Sequence, residues 1–121
     1  YNTNTATYIG WQWKCNAGTT ASNTNGSITS TVQVNATSGF SILTYTGTAA
    51  NATVGHGLGV APSMVIVKKR SGATTGDWAV WHTGLGTNVI YLNSTGAAGA
   101  DSTWFQGVVP SSTTSLFPLV R

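Results

Sequence analysis

The chain has 121 residues, which is enough for one domain. Charged residues make up only 6 % of the sequence, and 5 Trp, 4 Tyr and 3 Phe argue against a disordered chain. The net charge of +3 rests on five cations, three of them in the run Lys68, Lys69, Arg70. Such a run is typical of the solvated end of a strand, and a nucleic-acid partner is not expected. No apolar run approaches about 18 residues, so insertion into a membrane is not expected either.

Alternating apolar and polar residues predict strands along most of the chain. The first is residues 7–14, where Ile9, Trp11 and Trp13 share one face of an expected half-buried strand. Further strands are predicted at 27–34, 40–46, 63–69, 77–82, 88–93, 103–106 and 115–120. The run at 63–69 is apolar without alternation, which indicates a strand covered on both faces.

Turn signals separate the predicted strands, as at Asn25-Gly26, Ser38-Gly39 and Ser71-Gly72. Residues 16–25 and the Gly/Ala-rich stretch 96–100 are expected to be loop and turn, and no segment has a helical period. About eight short strands near ten residues apart predict an all-β fold, an antiparallel β-sandwich of jelly-roll or lectin-like type. Residues 1–121 are expected to form this single domain.

No catalytic or metal-binding pattern stands out. Asp77 and Asp101 are the only acidic residues, and both fall at turn positions where Asp commonly bonds backbone. His56 and His82 have neither a nucleophile motif nor metal-ligand spacing. We therefore predict a protein that is not an enzyme and has no cofactor and no metal. Cys15, the single cysteine, is expected to be a small core side chain.

The Gly-rich segment 54–62 is interpreted as a structural loop and not as a phosphate-binding loop, because it lacks the Gly-Lys-Ser/Thr ending and a following helix. The residues of this loop are Gly55, His56, Gly57, Leu58, Gly59 and Pro62. We expect His56 to bond a backbone group and Leu58 to fill the core. Pro62 is expected to fix the start of the next strand.

Aromatic residues and one asparagine are the candidate contacts to a ligand or to another subunit: Trp78, Trp81, Trp11, Trp13, Tyr91 and Asn93. Trp and Tyr serve as platforms in binding sites, at subunit interfaces and in small cores, so all three roles stay open. Trp78 and Trp81 are three residues apart in a predicted strand and point to opposite faces. At least one of them is expected to be exposed or at an interface.

Three segments of the chain, 39–47, 54–68 and 77–82, resemble a module found in tail-fibre and other virion proteins of tailed phages, notably marine ones. The central motif is His56-Gly57-Leu58-Gly59 followed by Pro62 and an apolar strand. The resemblance covers most of residues 27–117 and implies a structural module. In that family a closing strand follows the position of Phe117, whereas here residues 1–17 look like that strand. We expect 1–17 to close a preceding module or to be swapped between subunits.

The resemblance implies a non-enzymatic structural module of a phage virion, in a tail fibre or spike that attaches to a host-surface glycan. A capsid decoration protein and a free carbohydrate-binding module are the alternatives. Expected partners are other copies of the chain, with a trimer favoured, other virion proteins and the host glycan. The expected location is the virion, assembled in the host cytoplasm, where the lack of disulfides fits, and extracellular after release.

Overall fold

The computed structural model describes residues 3–15, 19–72, 76–100 and 103–117. Nine strands lie in these residues: β1 (Ala21–Asn23), β2 (Ser30–Asn35), β3 (Phe40–Thr44), β4 (Ala52–Gly55), β5 (Met64–Lys68), β6 (Trp78–His82), β7 (Asn88–Tyr91), β8 (Gly99–Ala100) and β9 (Thr114–Phe117). The helical content of this part of the chain is one 3-10 turn, Thr83–Leu85.

The strands form antiparallel sheets, in the orders β1-β2-β3, β5-β6-β7-β8 and β4-β9. Neighbours in the two larger sheets are consecutive in the chain, whereas β4 pairs with a strand close to the C-terminus, Val54 opposite Ser115. The all-β class and the number of short strands are confirmed, and the sheets of three and four strands are consistent with a β-sandwich.

The β2-β3 hairpin illustrates why these residues form these elements. β-Branched and apolar residues make up three of the six residues of β2 and four of the five of β3, and Val32 lies opposite Leu43. The turn between them, residues 36–39, begins where Asn35 Oδ1 accepts a hydrogen bond of 3.1 Å from the Ser38 backbone N–H. It ends at Gly39, whose φ of 66° lies in the left-handed region that glycine adopts without strain. The turn predicted at Ser38-Gly39 is therefore present.

The core lies between the sheets. It consists of Val54 from β4, Ala79 and Trp81 from β6, Val89 from β7, and the loop residues Trp104 and Phe105. Leu43 from β3 and Val65 and Val67 from β5 pack against this cluster from the two larger sheets. One inner face of each large sheet thus covers the core.

β4 was not predicted, because its sequence merges into the Gly-rich loop that follows. Its position depends on a close backbone approach by Gly26, where an added Cβ would lie 2.6 Å from the carbonyl carbon of Thr53 and 2.7 Å from Val54 Cα. The Ile28 backbone N–H donates to the Thr53 carbonyl at 3.0 Å, which joins β4 to the segment before β2. Glycine is required at position 26 for this reason.

The predicted strand at residues 7–14 is wrong for the single chain. Residues 3–15 pair with no strand in the described structure, and all but Cys15 are exposed. A strand needs a neighbour for its backbone hydrogen bonds, and none is placed beside this segment.

The expectation that residues 63–69 are covered on both faces is also wrong. Val65 and Val67 pack on the core, whereas Met64 is 49 % exposed and Ile66 is 40 % exposed. The apolar run alone cannot distinguish a strand buried on two faces from one whose second face is open.

Other differences lie in short elements. Residues 103–106 form a turn and not a strand: Gln106 has a φ of 48°, and Val108 N–H donates to the Phe105 carbonyl at 2.9 Å. β1 and β8 occur where loop and turn were expected. Of the strand predicted at 115–120, residues 118–120 lie outside the described structure.

Candidate functional site

The loop after β4 is organised by His56, which is buried. The Nδ1 atom of His56 accepts a hydrogen bond of 3.2 Å from the Leu58 backbone N–H. In the neutral ring Nε2 then carries the proton and donates it to the Ser111 carbonyl, 3.2 Å away. Ser41 Oγ also donates to the His56 carbonyl at 2.6 Å. One imidazole therefore links two loops that are distant in sequence.

The other residues of this loop differ in their burial and packing. Gly57 has a φ of 74°, and a Cβ there would lie 2.8 Å from Val34 Cγ2. Leu58 is only half-buried and lies outside the core cluster, so the expectation that it fills the core is wrong. Gly59 is exposed, and Pro62 is half-buried two residues before β5. Gly55 is buried at the end of β4, against the side chain of Asn23.

The pair Trp78 and Trp81 is divided between the two faces of β6, as the spacing predicts. Trp81 is 2 % exposed in the core and donates from Nε1 to the Gly86 carbonyl at 2.8 Å. Tyr91, opposite Ala79 in the register, is half-buried against the same cluster. Trp81 is therefore a core residue and not a contact, because its indole has no surface to offer a partner.

Trp78 lies on the opposite face and is 46 % exposed. The ammonium of Lys68 is 5.8 Å from its ring centroid, a cation–π distance, and donates to the Gly76 carbonyl. Asn93 holds the start of the strand: Oδ1 accepts from the Trp78 backbone N–H at 2.9 Å, and Nδ2 donates to Asp77 Oδ1 at 2.8 Å. Asn93 thus positions Trp78 through the backbone.

Trp78 belongs to an apolar surface, which we call the outer face. It is the side of the β5-β6-β7 sheet turned away from the core, and its apolar residues are Met64, Ile66, Trp78, Val80 and Ile90. Lys68 and His82 lie at its margins, opposite Trp78 and Met64 in the register. Val80 is buried at its centre, between Ile66 and Ile90 in the register, whereas Met64, Ile66 and Trp78 are open to solvent.

Trp11 and Trp13 lie on the N-terminal segment, residues 3–15. The Trp13 ring stacks on Phe40 of β3, with centroids 5.8 Å apart and planes 5° from parallel. Cys15 Sγ donates to the Gln33 carbonyl at 3.1 Å, and this half-buried thiol lies outside the core, contrary to expectation. The segment is therefore held against the β2-β3 hairpin at its end, while Ile9 and Trp11 stay exposed.

Acidic and metal-binding chemistry is sparse in the described part of the chain. Asp77 is its one carboxylate side chain and is bonded to Asn93, and Asp101 lies outside the described residues. No group of three His, Cys, Asp or Glu residues comes together there as a metal site. In the same residues no helix has the length and apolarity needed to cross a bilayer.

Comparison with known protein families shows to which family the chain belongs. The family model described as Domain of unknown function (DUF7483) matches residues 1–119. The chain belongs to this family. No curated protein and no solved structure matches it. The match to DUF7483 includes the N-terminal segment as well as the sheets.

One surface of this DUF7483 domain was not singled out from its sequence. The run Lys68, Lys69 and Arg70, interpreted as a solvated strand end, lines a groove of about 550 Å³ together with Tyr45. Burial raises the pKa of the Tyr45 phenol above its ordinary value. The charge run was the signal in the sequence for this groove. Tyr45, which also lines the groove, follows a strand of another sheet, so the sequence alone does not bring the two together.

Proposed function

We propose that this DUF7483 domain is a non-enzymatic structural module of a phage virion, located in a tail fibre or spike and contributing to attachment to a host-surface glycan. Copies of the domain associate with one another, with a trimer expected, and with other virion proteins. The assembly takes place in the host cytoplasm. The observation that carries the proposal is the uncovered N-terminal segment, and the motif around His56 adds the resemblance to virion modules.

The N-terminal segment has the sequence of a strand but no strand neighbour among the residues that the structure describes. Its apolar side chains are largely uncovered: Ile9 is 76 %, Trp11 67 % and Trp13 57 % exposed. Burial of each in an assembly would contribute about 1.5–3 kcal/mol. Pairing with a sheet edge of a second copy would bury this face and satisfy the backbone groups of the segment together.

The outer face supports association independently. Its open apolar residues, Met64, Ile66 and Trp78, share one face of the β5-β6 pair around the buried Val80, an arrangement expected of a protein–protein contact. The low content of charged residues is compatible with dense packing of copies, because few charges would have to be desolvated.

Light scattering on the full chain tests the proposal through the mass in solution. We expect a defined oligomer for the wild type and a monomer for a variant with Ile9→Ser and Trp11→Ser, because both side chains are exposed and neither holds the fold. The matched control carries Gln12→Ser and Lys14→Ser on the alternate positions of the same segment and keeps the oligomer. A wild type that is monomeric at micromolar concentrations would contradict the proposal.

A capsid decoration protein would use the same self-association, and cryo-electron microscopy of virions labelled for this chain separates it from a fibre location. The free carbohydrate-binding module is favoured by one observation, the exposed Trp78 ring beside Lys68. For that function we expect a monomer that binds neutral glycans, with binding lost in Trp78→Ala. An oligomer whose glycan binding is unaffected by Trp78→Ala argues against it.

A further inference from the structure

A groove rich in cations and hydroxyl groups lies where two sheets approach each other. One wall is formed by the end of β3 and the residues that follow, including Tyr45, Thr46 and Thr48. The other wall is formed by the end of β5 with Lys69 and Arg70. Its volume of about 550 Å³ falls within the range of about 300–1,000 Å³ found for small-molecule sites.

A second hollow of about 220 Å³ adjoins the groove and shares four of its residues, Thr44, Tyr45, Thr46 and Arg70. Its remaining lining is Thr29 and Thr31. Thr31 lies opposite Thr44 in the β2-β3 register, which sets their hydroxyl-bearing side chains on one side of the sheet. Arg70 thus belongs to both hollows and is exposed.

The positive charge of the groove is not balanced by a carboxylate of the described chain. Of the two acidic residues in the sequence, Asp77 is bonded to Asn93 outside the groove, and Asp101 is not among the described residues. Lys68 also lines the groove, but its ammonium donates to the Gly76 carbonyl and lies near the Trp78 ring. Lys69 and Arg70 therefore supply the charge that a ligand would meet.

These groups favour an anionic sugar. A guanidinium binds a carboxylate through two parallel hydrogen bonds, which an ammonium cannot do. Threonine hydroxyls donate to and accept from sugar hydroxyls, and the partly buried Tyr45 gives the groove an aromatic wall. Nucleic acid is less suitable, because two or three cations neutralise too few phosphates for firm binding.

We infer that this groove binds an acidic sugar residue of a surface glycan, with the sugar carboxylate on Arg70, Lys69 adding charge, and the threonine hydroxyls bonding the ring. The inference rests on the proposed function in one respect, that the ligand is a surface glycan. It assigns recognition to Arg70 and not to the exposed Trp78.

Calorimetric titration at low ionic strength tests the inference with a galacturonate trisaccharide and its neutral galactose counterpart, which differ in the carboxylate. We expect the acidic probe to bind more tightly by about tenfold to a hundredfold, as for a hydrogen-bonded charge pair. Arg70→Gln should lose that preference, and Arg70→Lys should recover part of it. The matched control Lys14→Gln removes one exposed cation elsewhere and should bind as the wild type does.

Three outcomes would overturn the inference. The first is that the two trisaccharides bind equally tightly or that neither binds. The second is an equal loss of affinity for the acidic probe in Arg70→Gln and Lys14→Gln, and the third is tighter binding of an oligothymidylate than of the acidic sugar. Thermal unfolding of each variant shows that the fold is kept, which is expected because Arg70 is exposed. The mass of the same samples distinguishes the two proposals. A defined oligomer without acidic-sugar binding refutes the groove alone, and a monomer that binds through Arg70 refutes the virion assembly alone.

Discussion

The two histidines of this chain allow a sharp test of the role given to His56. Each ring accepts a hydrogen bond at Nδ1 from a backbone N–H two residues further on, Leu58 at 3.2 Å for His56 and Gly84 at 3.0 Å for His82. They differ in that His56 is buried and also bonds the Ser111 carbonyl, whereas His82 is exposed. His82→Ala is therefore the matched control for His56→Ala.

The expected magnitudes follow from these contacts. The two hydrogen bonds of His56 contribute about 0.5–1.5 kcal/mol each. The space left by a buried imidazole adds about 1 kcal/mol, so His56→Ala should destabilise the fold by about 3 kcal/mol. His82→Ala removes one exposed capping bond and should cost about 1 kcal/mol or less. An unfolding entropy of about 2.1 cal/mol/K per residue over 121 residues converts these values into Tm decreases of about 12 °C and about 4 °C.

Calorimetry and near-UV circular dichroism on the wild type and both variants provide the assay. His56→Asn should fall between them, because its side-chain oxygen can still accept from the Leu58 N–H but cannot reach Ser111. If His56→Ala lowers Tm no more than His82→Ala does, the imidazole does not hold the two loops together and the reasoning is refuted.

Three further predictions concern the core, the β4 contact and the groove. In urea unfolding, Trp81→Ala should cost about 3–5 kcal/mol and Trp78→Ala about 1 kcal/mol or less, because only the first indole is buried; similar costs would contradict the division of the two faces. Gly26→Ala should lower Tm by several degrees through its backbone clash, whereas Gly47→Ala, which has open space around it, should not. Burial raises the pKa of Tyr45, so the folded chain holds the phenol proton more tightly than the unfolded chain. The resulting stabilisation is fully present below about pH 10 and is lost as the pH rises through the pKa of the folded chain. Tyr45→Phe should lose less stability than the wild type over that alkaline window in denaturant titrations, and parallel losses would count against the burial.

The fold class of this chain could be predicted from its sequence, because strand periodicity is local. Ser38-Gly39 specifies a hairpin turn through one side-chain bond and one left-handed glycine, and neither depends on the rest of the molecule. The division of Trp78 and Trp81 between two faces also follows from their spacing alone. The hydrogen bond between His56 and a backbone group could also be predicted from the sequence, because a histidine in a Gly-rich loop has backbone groups within reach.

Only the tertiary structure decided which face is covered and which strand has a partner. The period of residues 7–14 predicts a strand, yet strand formation needs a sheet edge beside it, and the described part of the chain places none there. β4 is the converse case. Its short Gly-containing sequence forms a strand because it pairs with β9, where Val54 lies opposite Ser115, more than fifty residues away in the sequence. The groove beside Arg70 likewise arises where two sheets meet. Pairing and burial are relations between distant segments, so local sequence sets the conformations available and packing selects among them.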